Sequence, residues 1–249
     1  MRYAWRWLRS ALFVGQAYFM MLPIGILWMP WMLVHRSGAF SACKTWCRWT
    51  FWTARWMCGI RTEVRGPVPK GEVLIAAKHQ SFLDAMLIFY AVPRGKFIMK
   101  RELIWAPIIG QYALRLGCVP VARGQRSKAI RKMKADIAAG RQGPGQLIIY
   151  PQGSRIEPGV DAPYKVGTAA LYDQTGQSCV PVACNVGLFW PRKGIIRNPG
   201  VAVVEFLDPI APGQKTAPFM AELQERIETR SNALMKEAGF DPDHNGGAA

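Results

Sequence analysis

The pattern of apolar and polar positions divides the chain into two unlike parts. Residues 10–34 are uncharged and long enough to cross a bilayer, which takes about 20 apolar residues. After residue 62, short apolar runs of strand length alternate with segments of helical periodicity, which is typical of an α/β protein. The pattern predicts a mixed central sheet flanked by helices, with an N-terminal helical segment that anchors the chain to a membrane.

We expect three units along the chain. Residues 1–62 are predicted to form the membrane-associated helical segment, residues 63–240 the α/β domain, and residues 241–249 a flexible tail. The Gly- and Pro-rich turn at residues 66–71 lies just inside the second unit. The last apolar helical pattern, at residues 219–235, ends shortly before the polar tail.

The apolar stretch does not by itself indicate how it meets the membrane. Pro23 and Pro30 interrupt it, and arginines or lysines lie on both of its flanks, so the positive-inside rule gives no crossing direction. A full span and a half-buried helical pair broken near either proline both remain open. A cleaved signal peptide is disfavoured because the stretch is long for one.

Residues 41–58 carry a second membrane signal. On a helical wheel Lys44, Arg48 and Arg55 form one stripe and three tryptophans, Trp46, Trp49 and Trp56, fall on the opposite side. This distribution predicts a helix lying in the plane of the lipid headgroups. The alternative is a tryptophan face packed on protein.

Composition supports a membrane rather than a nucleic acid as the partner. Half of the 249 residues are hydrophobic, yet the net charge is +16, from 32 Lys and Arg against 16 Asp and Glu. Residues 1–62 hold eight of the ten tryptophans and no acidic residue, and tryptophan beside cations favours an anionic bilayer interface. We therefore expect binding to an anionic phospholipid membrane and no nucleic acid.

The cysteines indicate the compartment. Six are present without a C-x-x-C pair, which favours reduced thiols in a protein that faces the cytoplasm. Cys43 and Cys47 lie four residues apart, but no histidine or further cysteine pair nearby completes a metal site. No metal is expected.

His79 and Asp84 follow a strand-like apolar run at residues 73–77. Their spacing of five would leave them about 140° apart on a regular helix, so contact requires the histidine to lie in the loop before it. Ser81 is a good N-cap that would begin the helix there, leaving Asp84 in its first turn. The pair could then act as a base and its orienting acid; the alternative is that Asp84 only caps the helix.

Two later strand ends carry arginines. Arg123 follows a short apolar strand, and Arg155 ends the sequence Tyr-Pro-Gln-Gly-Ser-Arg after another. If these strands share one sheet, the crevice holds a base, an acid and two cations, which suits a reaction on a hydroxyl of an anionic substrate. No G-x-S-x-G sequence is present, which favours direct transfer without a covalent enzyme intermediate.

The order of these blocks resembles the glycerolipid acyltransferases, and specifically the 1-acylglycerol-3-phosphate acyltransferase family. The resemblance covers roughly residues 60–210. Its blocks are the H-x4-D motif at His79 and Asp84, a glycine-to-arginine block at residues 117–123, an F-P-E-G-T-R-like block at residues 150–155, a K-x-G sequence at Lys165 and Gly167, and a proline-containing strand at residues 180–182.

The resemblance implies acyl transfer from acyl-CoA or acyl-carrier protein to the sn-2 hydroxyl of lysophosphatidic acid, giving phosphatidic acid at the cytoplasmic face of the inner membrane. The acyl thioester is a co-substrate, and no cofactor is implied. His79 would be the general base and Asp84 its partner. The substrate-binding residues would be Arg123, Gln152, Gly153, Ser154, Arg155 and Lys165.

The sequence departs from the family pattern at Gln152, where the third block usually has Glu. Glutamine keeps the size and the hydrogen bonding but loses the charge. The second block also lacks its usual aromatic and acidic residues before Arg123. Two alternatives stay open: a different lysolipid acceptor, and a non-catalytic protein that only binds anionic lipid.

Overall fold

The computed structural model describes residues 2–106, 108–121, 131, 135 and 144–241. The described α-helices are α1 (Arg2–Phe19), α2 (Met21–Val34), α3 (Arg36–Thr53), α4 (Phe82–Ala91), α5 (Ile109–Leu116), α6 (Gly167–Thr175) and α7 (Thr216–Glu237). The described strands are β1 (Ile60–Arg65), β2 (Leu74–Ala77), β3 (Gly95–Lys100), β4 (Val119–Val121), β5 (Gln146–Ile149), β6 (Cys179–Cys184) and β7 (Gly200–Phe206).

The described strands form one mixed sheet in the order β1-β7-β6-β2-β5-β3-β4. The five strands from β6 to β4 run parallel, whereas β7 is antiparallel to β6 and β1 is parallel to β7. The carboxyl ends of β2, β4, β5 and β6 therefore meet at one edge, where ligand sites of α/β sheets form. The predicted mixed α/β fold is confirmed.

Successive residues of β2 and β5 supply two separate cores, because side chains alternate between the faces of a sheet. Ile75 and Ile148 pack with α1 and α4, and Leu74 and Leu147 pack with α6 and α7. Both strands are buried along their whole length, which is why they read as continuous apolar runs without alternation. Helices thus cover the sheet on both faces.

The N-terminal helices pack on the sheet and on each other. Phe13 of α1 is fully buried in the same core as Ile75. The amide of Gln16 joins α1 to α3, accepting from Trp49 Nε1 at 2.6 Å and donating to Thr53 Oγ1 at 2.9 Å. In α5, the hydroxyl of Tyr112 donates to the carbonyl of Gly25 in α2 at 2.7 Å. The helices α1, α2 and α3 therefore pack together with the sheet domain.

A one-residue interruption at Met20, three residues before Pro23, separates α1 from α2, and helical hydrogen bonds from Met20 to Gln16 and from Ile24 to Met20 continue across it. Pro23 lies in the first turn of α2, where its missing N–H is tolerated. Its ring clashes with the carbonyl of Phe19, four residues earlier, and so disrupts the regular helix at this point. Pro30 lies inside α2 without ending it. The described part of the chain holds one stretch, Tyr3–Val34, that could cross a membrane by length and composition; its mean hydropathy is 1.7.

The tryptophans of residues 41–58 divide between protein and solvent. Trp46 donates to the carbonyl of Ala17 at 2.7 Å and Trp49 to Gln16, so both pack on α1. Trp56 remains exposed, in the π-helical turn Ala54–Cys58 that follows α3. The expected headgroup-plane face therefore does not hold for Trp46 and Trp49, because their indole N–H groups find partners on a neighbouring helix. All six cysteines are free thiols.

Phe219 anchors α7 to the sheet domain. Its ring is fully buried and stacks on Tyr172 of α6 at a centroid distance of 3.9 Å. We expect Phe219→Ala to lower the free energy of unfolding by about 3–5 kcal/mol, since it removes a large buried ring and leaves a cavity. Thermal unfolding measures this change. The exposed Val166→Ala should alter stability by less than about 0.5 kcal/mol, and equal effects of the two substitutions would contradict the packing.

Candidate active site

The loop between β2 and α4 holds the histidine–aspartate pair at the carboxyl edge of the sheet. The Nδ1 atom of His79 lies 2.8 Å from Oδ1 of Asp84. Asp84 is fully buried and His79 is 18% exposed, so solvent reaches the pair only at the histidine. A carboxylate only accepts hydrogen bonds, so we assign the proton to Nδ1, which leaves Nε2 free to accept one.

Asp84 also caps helix α4. Its other oxygen, Oδ2, accepts from the backbone N–H groups of Gln80 at 2.9 Å and Ser81 at 2.7 Å. The Ser81 hydroxyl accepts from the N–H of Leu83, which completes a capping box. The sequence offered capping and pairing with His79 as alternatives, and the two carboxylate oxygens perform both. The helix terminus thus fixes the group that orients the histidine.

Tyr150 fixes the plane of the imidazole from the other side. Its ring stacks on His79 with a centroid distance of 3.8 Å and an interplanar angle of 19°. Burial, and then the negative charge of Asp84, raise the pKa of Tyr150, so its phenol stays protonated at neutral pH. The phenol oxygen is buried and has no hydrogen-bond partner among the described residues. Tyr150 belongs to the third block, but no feature of the sequence had indicated a role for it in the site.

The third block forms a turn against the histidine loop. Gly153 donates from its N–H to the carbonyl of Tyr150 at 2.9 Å and adopts a φ of +72°, a region that favours glycine. Two residues past Ser154, the N–H of Ile156 donates to the carbonyl of His79 at 2.7 Å. The backbone of His79 is therefore held by the same loop that carries the predicted substrate-binding residues.

Two predicted cations lie on the solvent side of this turn. The side chains of Arg155 and Lys165 are exposed. Lys165 Nζ lies so close to Gly153 that an added Cβ there would be 2.6 Å from it. Arg192, which the sequence did not single out, donates to the carbonyl of Arg155 at 3.0 Å and adds a third exposed cation. Arg123, the remaining predicted phosphate ligand, lies outside the described residues.

Gln152 and Ser154 point to different surroundings. Ser154 is exposed beside Gly153. Gln152 is buried, and its Nε2 atom lies 3.5 Å from Oε1 of Glu228 in α7. The two roles predicted for them in substrate binding stay predictions. In the described part of the chain, no group of three or more His, Cys, Asp or Glu side chains is arranged to hold a metal ion.

An apolar cavity of about 380 Å³ opens at His79 and extends among α2, α3, α4 and α5. Its size is typical of ligand pockets, which measure roughly 300–1,000 Å³. His79 and Tyr150 line it together with apolar, aromatic and cysteine side chains, such as Met86, Phe97 and Ala113. Among the described residues that line it, none is Lys, Arg, Asp or Glu. The cavity therefore suits a hydrocarbon chain that ends at the histidine.

Several residues that build this site gave no functional signal in the sequence. Gln80 is fully buried, and its Oε1 atom accepts from the N–H of Gly187 at 3.0 Å, which ties the histidine loop to the segment after β6. Lys78 is a buried charge in an apolar run, and such a charge needs a partner. That partner, Glu228, is 150 positions away, so no local pattern could reveal it.

Comparison with known proteins agrees with the geometry. Residues 60–185 match the family model described as Acyltransferase. The 1-acyl-sn-glycerol-3-phosphate acyltransferase of Pseudomonas aeruginosa is 28% identical over 231 residues, which cover 92% of this chain and 86% of that protein. The human 1-acyl-sn-glycerol-3-phosphate acyltransferase beta is 28% identical over 207 residues, covering 81% of this chain and 74% of that one.

A solved structure has the same fold. The 1-acyl-sn-glycerophosphate acyltransferase PlsC from Thermotoga maritima superposes with a TM-score of 0.77 at 22% identity, covering 94% of this chain and 98% of that chain. The matched family region contains β1, the His79–Asp84 pair, the third block and all of β6. With a histidine–aspartate pair at the mouth of an apolar cavity and a family match over half its length, this chain belongs to the acyltransferase family.

Proposed function

We propose that the protein transfers an acyl group from an acyl thioester, acyl-CoA or acyl-carrier protein, to the sn-2 hydroxyl of 1-acylglycerol-3-phosphate, giving phosphatidic acid. The observation that carries the proposal is the His79–Asp84 pair at the wall of an apolar cavity. The names of the relatives support the acceptor. As a member of an enzyme family with an assembled dyad, the chain is not a lipid-binding module alone.

His79 acts as the general base in this reaction. Its Nε2 atom takes the proton of the acceptor hydroxyl while the hydroxyl oxygen attacks the thioester carbonyl. The new C–O bond forms, the C–S bond breaks, and the proton passes from the imidazolium to the departing thiolate. Asp84 keeps Nδ1 protonated and stabilises the imidazolium as it forms.

The distribution of charge around His79 matches a substrate with an anionic head and an apolar tail. Arg155, Lys165 and Arg192 are exposed near the Gly153 turn, where they would bind the acceptor phosphate. The cavity that His79 lines would hold a hydrocarbon chain. The proposal therefore brings the hydroxyl and the thioester together between these two regions.

We further propose that the N-terminal helices sit in the inner membrane with the active site facing the cytoplasm. Large apolar side chains of α1 and α2 are exposed, and Leu27 and Leu33 are among them, at 77% and 60%. Exposed apolar area on this scale is costly in water. The free thiols and the excess of cations support a surface that faces the cytoplasm and contacts anionic lipid.

The general-base role is tested by His79→Ala. We expect kcat to fall by about 10²–10⁴-fold, the usual contribution of a positioned base, while the fold is retained. The reaction rate is measured as thiol release from acyl-CoA or acyl-carrier protein with lysophosphatidic acid as acceptor. Mass spectrometry identifies the products. The control is His35→Ala, since His35 is exposed and outside the site. A His79→Ala protein with unchanged kcat would exclude this mechanism. If the parent protein acylates other lysolipids as fast as lysophosphatidic acid, the proposed acceptor is excluded.

The cavity is tested by Ala113→Leu. Ala113 is part of α5 and lines the cavity, so the added carbons reduce the space for a chain. We expect lower rates with long-chain acyl donors or acceptors, whereas short-chain analogues keep their rates. Varying the chain length in the donor and the acceptor separately identifies which one occupies the cavity. Unchanged selectivity with both substrates would contradict an acyl-binding cavity.

The membrane contact is tested by the double variant Leu27→Asp and Leu33→Asp. We expect weaker binding to vesicles that contain anionic phospholipid, because each aspartate costs about 2.5–3.5 kcal/mol in a membrane interior. Flotation of the detergent-purified protein with vesicles measures it. Val166→Asp changes an exposed apolar residue of the sheet domain and should float like the parent protein. Equal flotation of all three proteins would argue against this surface as the membrane contact.

A further inference from the structure

A buried ion pair lies directly behind the catalytic loop. Lys78 is 3% exposed, and its Nζ atom lies 2.7 and 2.6 Å from the two carboxylate oxygens of Glu228, which is 20% exposed. Lys78 precedes His79 in the chain, and consecutive side chains at a strand end leave on opposite faces of the sheet. His79 thus faces the apolar cavity, while Lys78 reaches α7 on the other side.

Two more donors converge on the same carboxylate. The hydroxyl of Tyr164 donates to Oε1 of Glu228 at 2.8 Å, and Nε2 of Gln152 lies 3.5 Å from the same oxygen. Burial, and then the charge of Glu228, raise the pKa of Tyr164, so it remains a donor. Glu228 therefore binds three segments together: the histidine loop, the third block and the segment that leads into α6.

A glutamine at position 152 fits this arrangement better than a glutamate would, even though its Oε1 atom is buried without a hydrogen-bond partner among the described residues. Its amide nitrogen faces Glu228 and can donate. A carboxylate at the same position would bring two negative charges together in a buried site, which is unfavourable. Position 152 is where the family resemblance leads us to expect a glutamate. The charge at this place in the structure comes instead from α7, 76 positions away in sequence.

We propose that Glu228 supplies, from the C-terminal helix, the partly buried carboxylate that the third block lacks at position 152, and that it positions His79 through Lys78. Glu228 is a positioning residue, since it acts through Lys78 and contacts the network on the face away from the cavity. The proposal deepens the proposed acyltransferase function and rests on it for its kinetic test.

The connection from Glu228 to the imidazole runs through a short and well-held piece of backbone. The N–H of Lys78 donates to the carbonyl of Val182 at 2.9 Å, and the carbonyl of His79 accepts from Ile156 at 2.7 Å. Without Glu228, the buried ammonium of Lys78 loses its counter-charge and must move toward water, which pulls on the residue that carries the base. A displacement of about 1 Å at a catalytic group can cost about 100-fold in rate.

The test moves the carboxylate from one position to the other. We expect Glu228→Gln to lower kcat by at least about tenfold with little change in the KM for the acceptor, because substrate contacts are intact while the base is misplaced. In the double variant Glu228→Gln and Gln152→Glu, the carboxylate returns to the network from position 152. We expect this double variant to recover kcat to within about threefold of the parent protein.

Glu225→Gln is the matched control, because Glu225 is an exposed glutamate one turn earlier on α7. It should leave kcat unchanged. A Glu228→Gln protein with the parent kcat, or a double variant no more active than that single variant, would overturn the inference. Either result would leave lysolipid acylation by the parent protein intact, whereas a parent protein that acylates no lysolipid would overturn the proposed function instead.

Thermal unfolding of the same proteins gives a second readout that needs no substrate. The melting temperatures of the parent, both single variants and the double variant form a double-mutant cycle. We expect the two substitutions to be coupled, with the double variant more stable than the sum of the single effects. Additive effects would show that positions 152 and 228 do not share one carboxylate site.

Discussion

The carboxylate of Asp84 is the interaction on which the site depends, because it belongs at once to the fold and to the chemistry. One oxygen closes the N-terminus of α4 through the N–H groups of Gln80 and Ser81, and the other holds His79. A helix terminus supplies donors that a carboxylate satisfies well, and the helix dipole favours its negative charge. The contacts that begin the helix therefore fix the carboxylate of Asp84, and its second oxygen orients the imidazole of His79.

The two faces of the sheet present different surroundings to the residues of the site. At the end of β2, Lys78 and His79 leave in opposite directions, so one residue enters a polar network with α7 and the next enters an apolar cavity. The third block repeats this division, with Tyr150 stacked on His79 and Gln152 beside Glu228. The charged side chains therefore lie on the opposite side of the sheet from the apolar cavity. Contacts on both sides of the sheet hold the loop that carries His79. Parallel strands make this arrangement possible, because their carboxyl ends coincide at one edge.

The sequence could predict what depends on local spacing. Ser81, three residues before Asp84, signalled the capping box, and that in turn required His79 to lie in the loop, as it does. Contacts between distant segments carried no such signal. Glu228 looks like any surface glutamate on an amphipathic helix, and Trp49 looked like a lipid-facing residue until Gln16 of α1 provided its partner. Their roles are set by tertiary packing, which periodicity cannot resolve.

The N-terminal helices and the sheet domain build the cavity together. Its walls come from both: Ile24 of α2 and Cys47 of α3 on one side, and Phe97 of β3 on the other. The same α2 carries Leu27 on its exposed side, with the cavity on its inner side. Helix α2 thus presents exposed apolar side chains on one side and cavity-lining residues on the other, and its sequence contains no charged residue. Under the proposed function, this arrangement would let an acyl chain reach His79 from the bilayer, while the exposed cations near Gly153 would hold the phosphate.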